Sequence, residues 1–383
     1  MSRLVQYCLN RLDELITEGL VPYVVFDGAD LPIKGGTNES RREARQRNME
    51  IAQQKEREGK IDEASDYFYR ALEISPDLYA PLIAQLKERN IQFLVAPYES
   101  DAQLGFLFRN NYIDLVITED GDTLVYGCRR VLFKLDKGTG EEIDMSRLSH
   151  CTKLNFCDWT HDMFTYLCVL SGCDYLPSLR GIGIVRAYQA VSRGRTPAGI
   201  FAYLRGVTEV PLEYENGFAR AVFTFRHQTV FDPQRRAAVP LLPLPASLQA
   251  QPPAYLGPVL PADLAVRIAA GEVDPVTQRP VGAMEEETAG MEEPGEAGEV
   301  RFSSPFVSIS FRALIERPSE RGLPRKGDLS HLDFASGSAV KRAMVMESPP
   351  RKRPTVERIG PSPVAAKCVN AFLDQFRRSL TQQ

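Results

Sequence analysis

The 383-residue chain is 43% hydrophobic and carries a formal net charge of −4. That length supports one core of about 200 to 280 residues with residues to spare, and the charge excludes a uniformly basic surface, so a nucleic-acid partner has to be held by a local basic patch. No apolar run approaches the about 20 residues that cross a bilayer, which predicts a soluble protein without a membrane partner.

In chain order, Leu4, Val5, Cys8, Leu9, Leu12, Leu15 and Ile16 recur at helical spacing, and Tyr23 to Phe26 reads as a buried strand running into Asp27-Gly28. Residues 34 to 76 are polar, charged and helical in pattern, so they should project from the core. Part of this stretch, 59 to 76, imitates one tetratricopeptide repeat, but a single repeat cannot stack, and arrays need roughly three. A second helix leads to a strand at Ile91 to Val95 and then to Ala96-Pro97-Tyr98-Glu99. A third leads to Leu115 to Ile117, ending at Glu119-Asp120, and a further strand is expected at Val131 to Leu135. This alternation predicts an α/β fold with a mostly parallel sheet. Residues 158 to 268 read as mainly helical. From 281 the chain turns acidic and Gly-rich, then rich in Ser, Pro and Arg, which predicts disorder.

Seven cysteines without CxxC spacing fit a reducing compartment. Cys151, Cys157 and His161 suggest zinc only weakly, because no fourth ligand is evident. Stronger chemistry lies in four acidic segments: Phe26-Asp27-Gly28, Glu99-Ser100-Asp101, Glu119-Asp120-Gly121-Asp122 and Cys173-Asp174-Tyr175. Taken singly, each is a solvated loop acid or a helix N-cap. At the carboxyl ends of parallel strands, however, they would meet in one crevice, where crowded carboxylates repel unless a cation neutralises them. Oxygen ligands without His or Cys favour Mg²⁺ or Mn²⁺. Two such ions about 3.5 to 4 Å apart support phosphodiester hydrolysis. Arg41 and Arg45, one helical turn apart and just after Lys34, could hold a scissile phosphate, or could simply make Glu-Arg pairs on an exposed helix. Leu179 to Gly183 is either a helix-helix turn or a backbone that approaches phosphate.

The strings VFDG, APYESDAQL, ITEDGDTLVYG and LSGCDYLPSLRGIG, with FDPQRR at 231 to 236, resemble the nuclease core of the exonuclease 1 and flap endonuclease (XPG-type) family from the first residues to about residue 280. The resemblance implies a PIN-like core with a helical arch, in which Asp27, Glu99, Asp101, Asp120, Asp122 and Asp174 bind two Mg²⁺ ions and Lys34, Arg41 and Arg45 act in catalysis. Glu119 falls outside the family pattern, and a supporting or solvated role is expected for it. A helix-two-turn-helix segment would grip duplex DNA through K⁺, using Ser171, Ser178, Gly181, Ile182, Gly183 and Arg186. The implied domains are 1–150 and 151–280 of the nuclease core and a 281–383 tail.

The expected substrates are 5′ ends, flaps and nicks of duplex DNA. The expected setting is a monomer in the nucleus acting in mismatch repair and end resection, with MutS and MutL homologues as tail partners. Family members begin with a strand bearing another metal-ligating Asp and a wedge; this sequence enters at the helix that follows them. It is therefore read as an incomplete sequence or a variant form, with exposed edges beside the missing strand and doubtful full catalysis. The alternative is a chain that binds branched DNA or repair partners without cutting. In the tail, Arg351, Lys352 and Arg353 offer either a nuclear import cluster or a solvated charge run. An apolar stripe from Val369 to Leu380 could dock in a partner's groove.

Overall fold

The computed structural model describes residues 3–71, 76–136, 138–151, 153–281 and 309–313. Helix α1 (Arg3–Thr17) buries Val5, Cys8, Leu9, Leu12 and Leu15 on one face, as their spacing predicts, and leads into β1 (Leu20–Phe26). After a 3₁₀ turn at Pro32–Lys34 come α2 (Gly35–Arg57) and α3 (Ile61–Ala71), which pack on each other and bury Ala52 and Ala64. This one helical pair is the polar projection. The sequence of helix then strand continues as α4 (Pro76–Glu88), β2 (Gln92–Val95), α5 (Ser100–Arg109), β3 (Leu115–Ile117), α6 (Asp122–Val125), β4 (Arg130–Asp136) and β5 (Thr139–Asp144). There follow α7 (His161–Ser171), α8 (Ile184–Gly194), α9 (Pro197–Arg205), α10 (Leu212–His227), β6 (Thr229–Asp232), β7 (Ala237–Pro240), α11 (Ala246–Gln249), α12 (Ala262–Ala269) and β8 (Ile309–Ala313).

The main sheet has the order β2-β1-β8-β3-β4-β5. Strand β1 is parallel to β2 and β3 to β4, and β8 is antiparallel to both β1 and β3, so β1 to β4 share one direction. The mostly parallel sheet expected from the sequence is present, with β5 and β8 running the other way. Disorder from residue 281 does not hold for Ile309–Ala313. Those residues pair on both sides, Tyr23 with Ser310 and Val116 with Ser310, and fill the gap where exposed edges were expected. Such pairing satisfies backbone groups across the sheet and leaves no local mark in a Ser- and Pro-rich composition.

Both faces of the sheet are covered, and the alternation of side chains shows it. Val25, Leu94 and Val116 face a core shared with Leu104 and Leu107 of α5 and with α7, α8 and α10. Their neighbours Val24, Val95 and Leu115 face a second core with α1, α4 and Ile268 of α12. The mainly helical reading of 158 to 268 missed the β6–β7 hairpin. FDPQRR is its turn: Asp232 Oδ1 accepts from the amides of Gln234 and Arg235 at 2.9 and 3.1 Å. Buried Gln103 pairs both ways with the backbone of Phe231, at 2.8 and 2.7 Å, and ties this hairpin to α5. The weak zinc reading fails, since Cys151 is buried, Cys157 exposed, and His161 Nε2 meets the Val125 carbonyl at 2.9 Å.

Candidate active site

Because β1, β2 and β3 run the same way, the residues after Phe26, Val95 and Ile117 emerge on one edge of the sheet. The first two turns touch. Gly28 donates to the Tyr98 carbonyl at 2.6 Å, and a Cβ on Gly28 would sit 2.0 Å from the Ala96 oxygen, so only glycine fits there. Asp27 is exposed, and its Oδ1 accepts from the Ser100 amide at 2.8 Å and the Ser100 hydroxyl at 2.6 Å. It therefore caps the start of α5, the plain structural role its sequence allowed.

The acids on the next turns have a different fate. Asp101 is on the first turn of α5, where its Oδ1 is buried without a hydrogen-bond partner. Its pKa is driven well above the usual carboxylate range by burial, then by the charges of Asp120, Asp27, Asp122 and Glu99. Asp122 is driven well up by burial and then by Asp120 and Asp174. Asp120 is also raised by burial, against the pull of its 2.9 Å bond from the Asp122 amide. Glu119 turns away and accepts from the Lys134 amide at 2.7 Å, a supporting contact to the sheet.

Lys34 and Arg41 answer part of this charge. Lys34 Nζ lies 2.6 Å from Glu99 Oε1 and 2.8 Å from Asp174 Oδ2, and Arg41 Nη2 lies 2.9 Å from Asp174 Oδ2. Burial raises Asp174, but Lys34 and Arg41 outweigh it, and its pKa is lowered. Burial likewise opposes the ammonium of Lys34, yet Glu99 and Asp174 raise it well above the usual lysine range. Arg45 is half-buried one turn further along α2. Glu99 Oε2, on its other side, meets the hydroxyls of Tyr126, at 3.1 Å, and Tyr175. The sequence reasoning missed these tyrosines. Their position beside acidic motifs was the only signal, since a phenol in an apolar run reads as core.

With Lys34 seated among the acids, no three Asp, Glu, His or Cys side chains among the described residues stand close enough together to hold one ion. The donor set nonetheless fits a hard divalent cation. All donors are carboxylate oxygens, Asp101 Oδ1 lacks a partner, and Asp101, Asp120 and Asp122 repel one another, with Lys34 offsetting only part of this at Asp120 and Asp122. A cavity of about 860 Å³, lined by Arg109, Arg129, Trp159, His161 and Asp162, includes none of these acids.

At the last residue of α7, Ser171 is buried and its hydroxyl donates to Leu167 O at 2.7 Å, while Ser178, on the turn before α8, is exposed. Gly181 has φ +79 and its carbonyl accepts from Arg186 Nη1 at 2.9 Å. Ile182 is buried. Gly183, the N-cap of α8, has φ −95, and a Cβ there would meet nothing within 4 Å.

The XPG I-region model matches residues 90–174, a span that contains Glu99, Asp101, Asp120, Asp122 and Asp174. Exonuclease 1 of Oryza sativa is 38% identical over 290 residues, covering 75% of this chain and 35% of that protein. The chain belongs to the exonuclease 1 group of XPG-family proteins. Exonuclease 1 of Xenopus laevis is 38% identical over 72% of this chain and 39% of its own length, and exodeoxyribonuclease 1 of Schizosaccharomyces pombe is 34% identical over 72% and 49%. The chain thus spans less than half the length of these relatives. Among solved structures, the catalytic core of Rad2 in complex with DNA substrate aligns over 67% of this chain and 71% of that one, at 20% identity and a TM-score of 0.37, a likeness too low to bear on the site.

Proposed function

We propose that the chain is the nuclease region of a structure-specific 5′ nuclease that hydrolyses phosphodiesters at 5′ ends, flaps and nicks of duplex DNA. The observation that carries this reading is the group of half-buried acids, Asp101, Asp120 and Asp122, with more negative charge than Lys34 and Arg41 neutralise. Glu99, Asp101, Asp120, Asp122 and Asp174 would hold Mg²⁺ or Mn²⁺, with Asp27 fixing the start of α5 beside them. When bound, two such ions supply an activated water and neutralise the leaving oxygen. Arg41 and Arg45, on the projecting helix, hold the scissile phosphate, and Lys34 leaves the carboxylates to meet it. The exposed turn at Gly181 and Gly183 takes the duplex backbone, with K⁺ held by oxygens of Ser171, Ser178 and Ile182 and with Arg186 on a phosphate. Such contacts are blind to sequence.

A second reading has its own support. Lys34 and Arg41 occupy the acids as placed, which suits a chain that binds branched DNA without cutting. Release of labelled nucleotides from a recessed 5′ end, with Mg²⁺ and with EDTA, decides between them: binding in EDTA without release in Mg²⁺ leaves only the second.

Gly183→Val should leave the fold intact, because its φ is ordinary and the added side chain enters open space. It should weaken binding of a long duplex roughly tenfold by blocking backbone approach, and barely affect a duplex too short to reach the turn. Equal affinity for wild type and variant on long duplex would remove this turn from the interface.

The nuclear setting, mismatch repair and end resection, and MutS and MutL homologues as partners, belong to the same proposal. Arg351, Lys352, Arg353 and the stripe from Val369 lie outside the described residues. A fluorescent fusion of residues 301 to 383 should enter the nucleus and remain cytoplasmic once the three basic residues are Ala; nuclear accumulation of that variant would end the import reading.

A further inference from the structure

Glu99 divides its carboxylate between two environments. Oε1 faces Lys34 Nζ at 2.6 Å, and Oε2 faces inward to the hydroxyls of Tyr126 and Tyr175. The two phenol oxygens also contact each other, and Tyr126 reaches Gln228 Oε1 at 2.7 Å. All three of these supporting side chains are buried, and Phe225 packs on both rings at 5.0 and 4.8 Å. Two phenols have only two O–H protons to share. With Gln228 Oε1 toward the phenols, Tyr126 donates to Gln228 Oε1 and Tyr175 to Glu99, so no proton lies between the two touching oxygens. Meanwhile Gln228 Nε2 is buried with no partner. Turning the Gln228 amide over, an exchange of nearly indistinguishable atoms, gives Nε2 a partner and frees the Tyr126 proton, and it leaves Oε1 in the position where Nε2 had none. Nε2–H then donates to the Tyr126 oxygen, Tyr126 donates to Tyr175, and Tyr175 donates to Glu99 Oε2. Each phenol proton is then used once, and each donor polarises the next.

We propose that Gln228, Tyr126 and Tyr175 form a one-way hydrogen-bond relay that pins Glu99 Oε2 and so presents Oε1 to the crevice, which makes them positioning residues for the cation site. The cation part rests on the reading under Proposed function; the relay itself does not. Outer partners of a ligating carboxylate commonly change cation affinity about 10- to 100-fold. The relay also links Gln228, the C-cap of helix α10, to Glu99 at the start of α5.

Two measurements on the whole chain test this. The first is a melting series in EDTA. Tyr175→Phe should lower the melting temperature more in the wild-type background than beside Glu99→Leu, which removes the acceptor but leaves the Tyr126–Tyr175 contact; equal losses in both backgrounds would overturn the contact to Glu99. The second is Mn²⁺ binding without DNA, followed by the free-ion paramagnetic resonance signal. Tyr175→Phe should weaken binding about tenfold. Tyr126→Phe and Gln228→Leu should weaken it less, and the Tyr126→Phe, Tyr175→Phe double variant should match Tyr175→Phe alone, because the upstream donors act through Tyr175. Additive losses would overturn the relay, and Mn²⁺ affinity of Tyr175→Phe within twofold of wild type would overturn the positioning role. A wild type that takes up no Mn²⁺, with the EDTA result as expected, would sink the nuclease reading and the positioning role while leaving the hydrogen bond established.

Discussion

Asp122→Asn should abolish cation-dependent cleavage and, in the same protein without cation, raise the melting temperature. The two effects point in opposite directions because one carboxylate does two things. For a bound cation it would be a ligand, and several kcal/mol of charge stabilisation in the transition state corresponds to a loss of about a thousandfold or more in rate. In the free chain it is a half-buried carboxylate whose pKa is raised by desolvation and by Asp120 and Asp174. Replacing it with a neutral isostere should add on the order of 1 kcal/mol, roughly 2 to 4 °C.

The pH dependence carries the same sign. An acid whose folded pKa is raised binds more protons in the folded state. Between the unfolded value, about 3.9, and the raised one, stability therefore falls as pH rises. Asp101, Asp120 and Asp122 all act this way, while Asp174, lowered, contributes stability above the unfolded value that is lost as pH falls. Melting curves in EDTA from about pH 4 to 7 should therefore slope downward with pH in wild type and less steeply in Asp122→Asn. Parallel slopes with no gain in stability would take Asp122 out of the repelling cluster.

Where the sequence spoke clearly, it did so because one local pattern carried both fold and chemistry. A short apolar run ending in an acid marks the end of a parallel strand, and Phe26-Asp27 and Ile117 to Asp120 are such endings. The same pattern could not say what each acid does. Asp27 caps α5 and Glu119 holds the Lys134 amide, while Asp101 is left buried without a partner on Oδ1. That difference depends on which backbone amides pass nearby, a property of the folded chain. The tyrosines beneath Glu99 were hidden for a related reason, since Tyr126 and Gln228 lie 102 residues apart in sequence. Strand β8 was hidden because its partners, β1 and β3, are remote in sequence and its own five residues carry no turn signal. The arch was legible as a projection from its polarity, but its contact with the acids through Lys34 and Arg41 was indicated by the family resemblance more than by helical spacing.

Lys34→Ala should show that Lys34 and a divalent cation compete for the same oxygens. The ammonium lies within 2.8 Å of both Glu99 and Asp174, and the side chains of all three are at most 15% exposed. Removing one partner of a mostly buried ion pair leaves uncompensated charge, at a cost of about 3 kcal/mol, or a fall of roughly 6 to 12 °C in the melting temperature without cation. Most of that loss should return on adding Ca²⁺, which supplies charge to the acids without supporting turnover. In wild type the same addition should raise the melting temperature less, because binding there must first displace the ammonium from Glu99 Oε1 and Asp174 Oδ2, and stabilisation by a ligand grows only with its affinity for the folded state. Lys34→Met, which keeps most of the aliphatic stem but loses the ammonium that lies 5.5 Å from the Tyr175 ring centre, should behave like Lys34→Ala if charge is the cause and like wild type if packing is. The measurement is a calcium titration followed by melting temperature in all three proteins. Equal calcium shifts across them would mean that the cation, if it binds, uses oxygens that Lys34 never held, and the acids of Glu99 and Asp174 would have to be removed from the proposed ligand set.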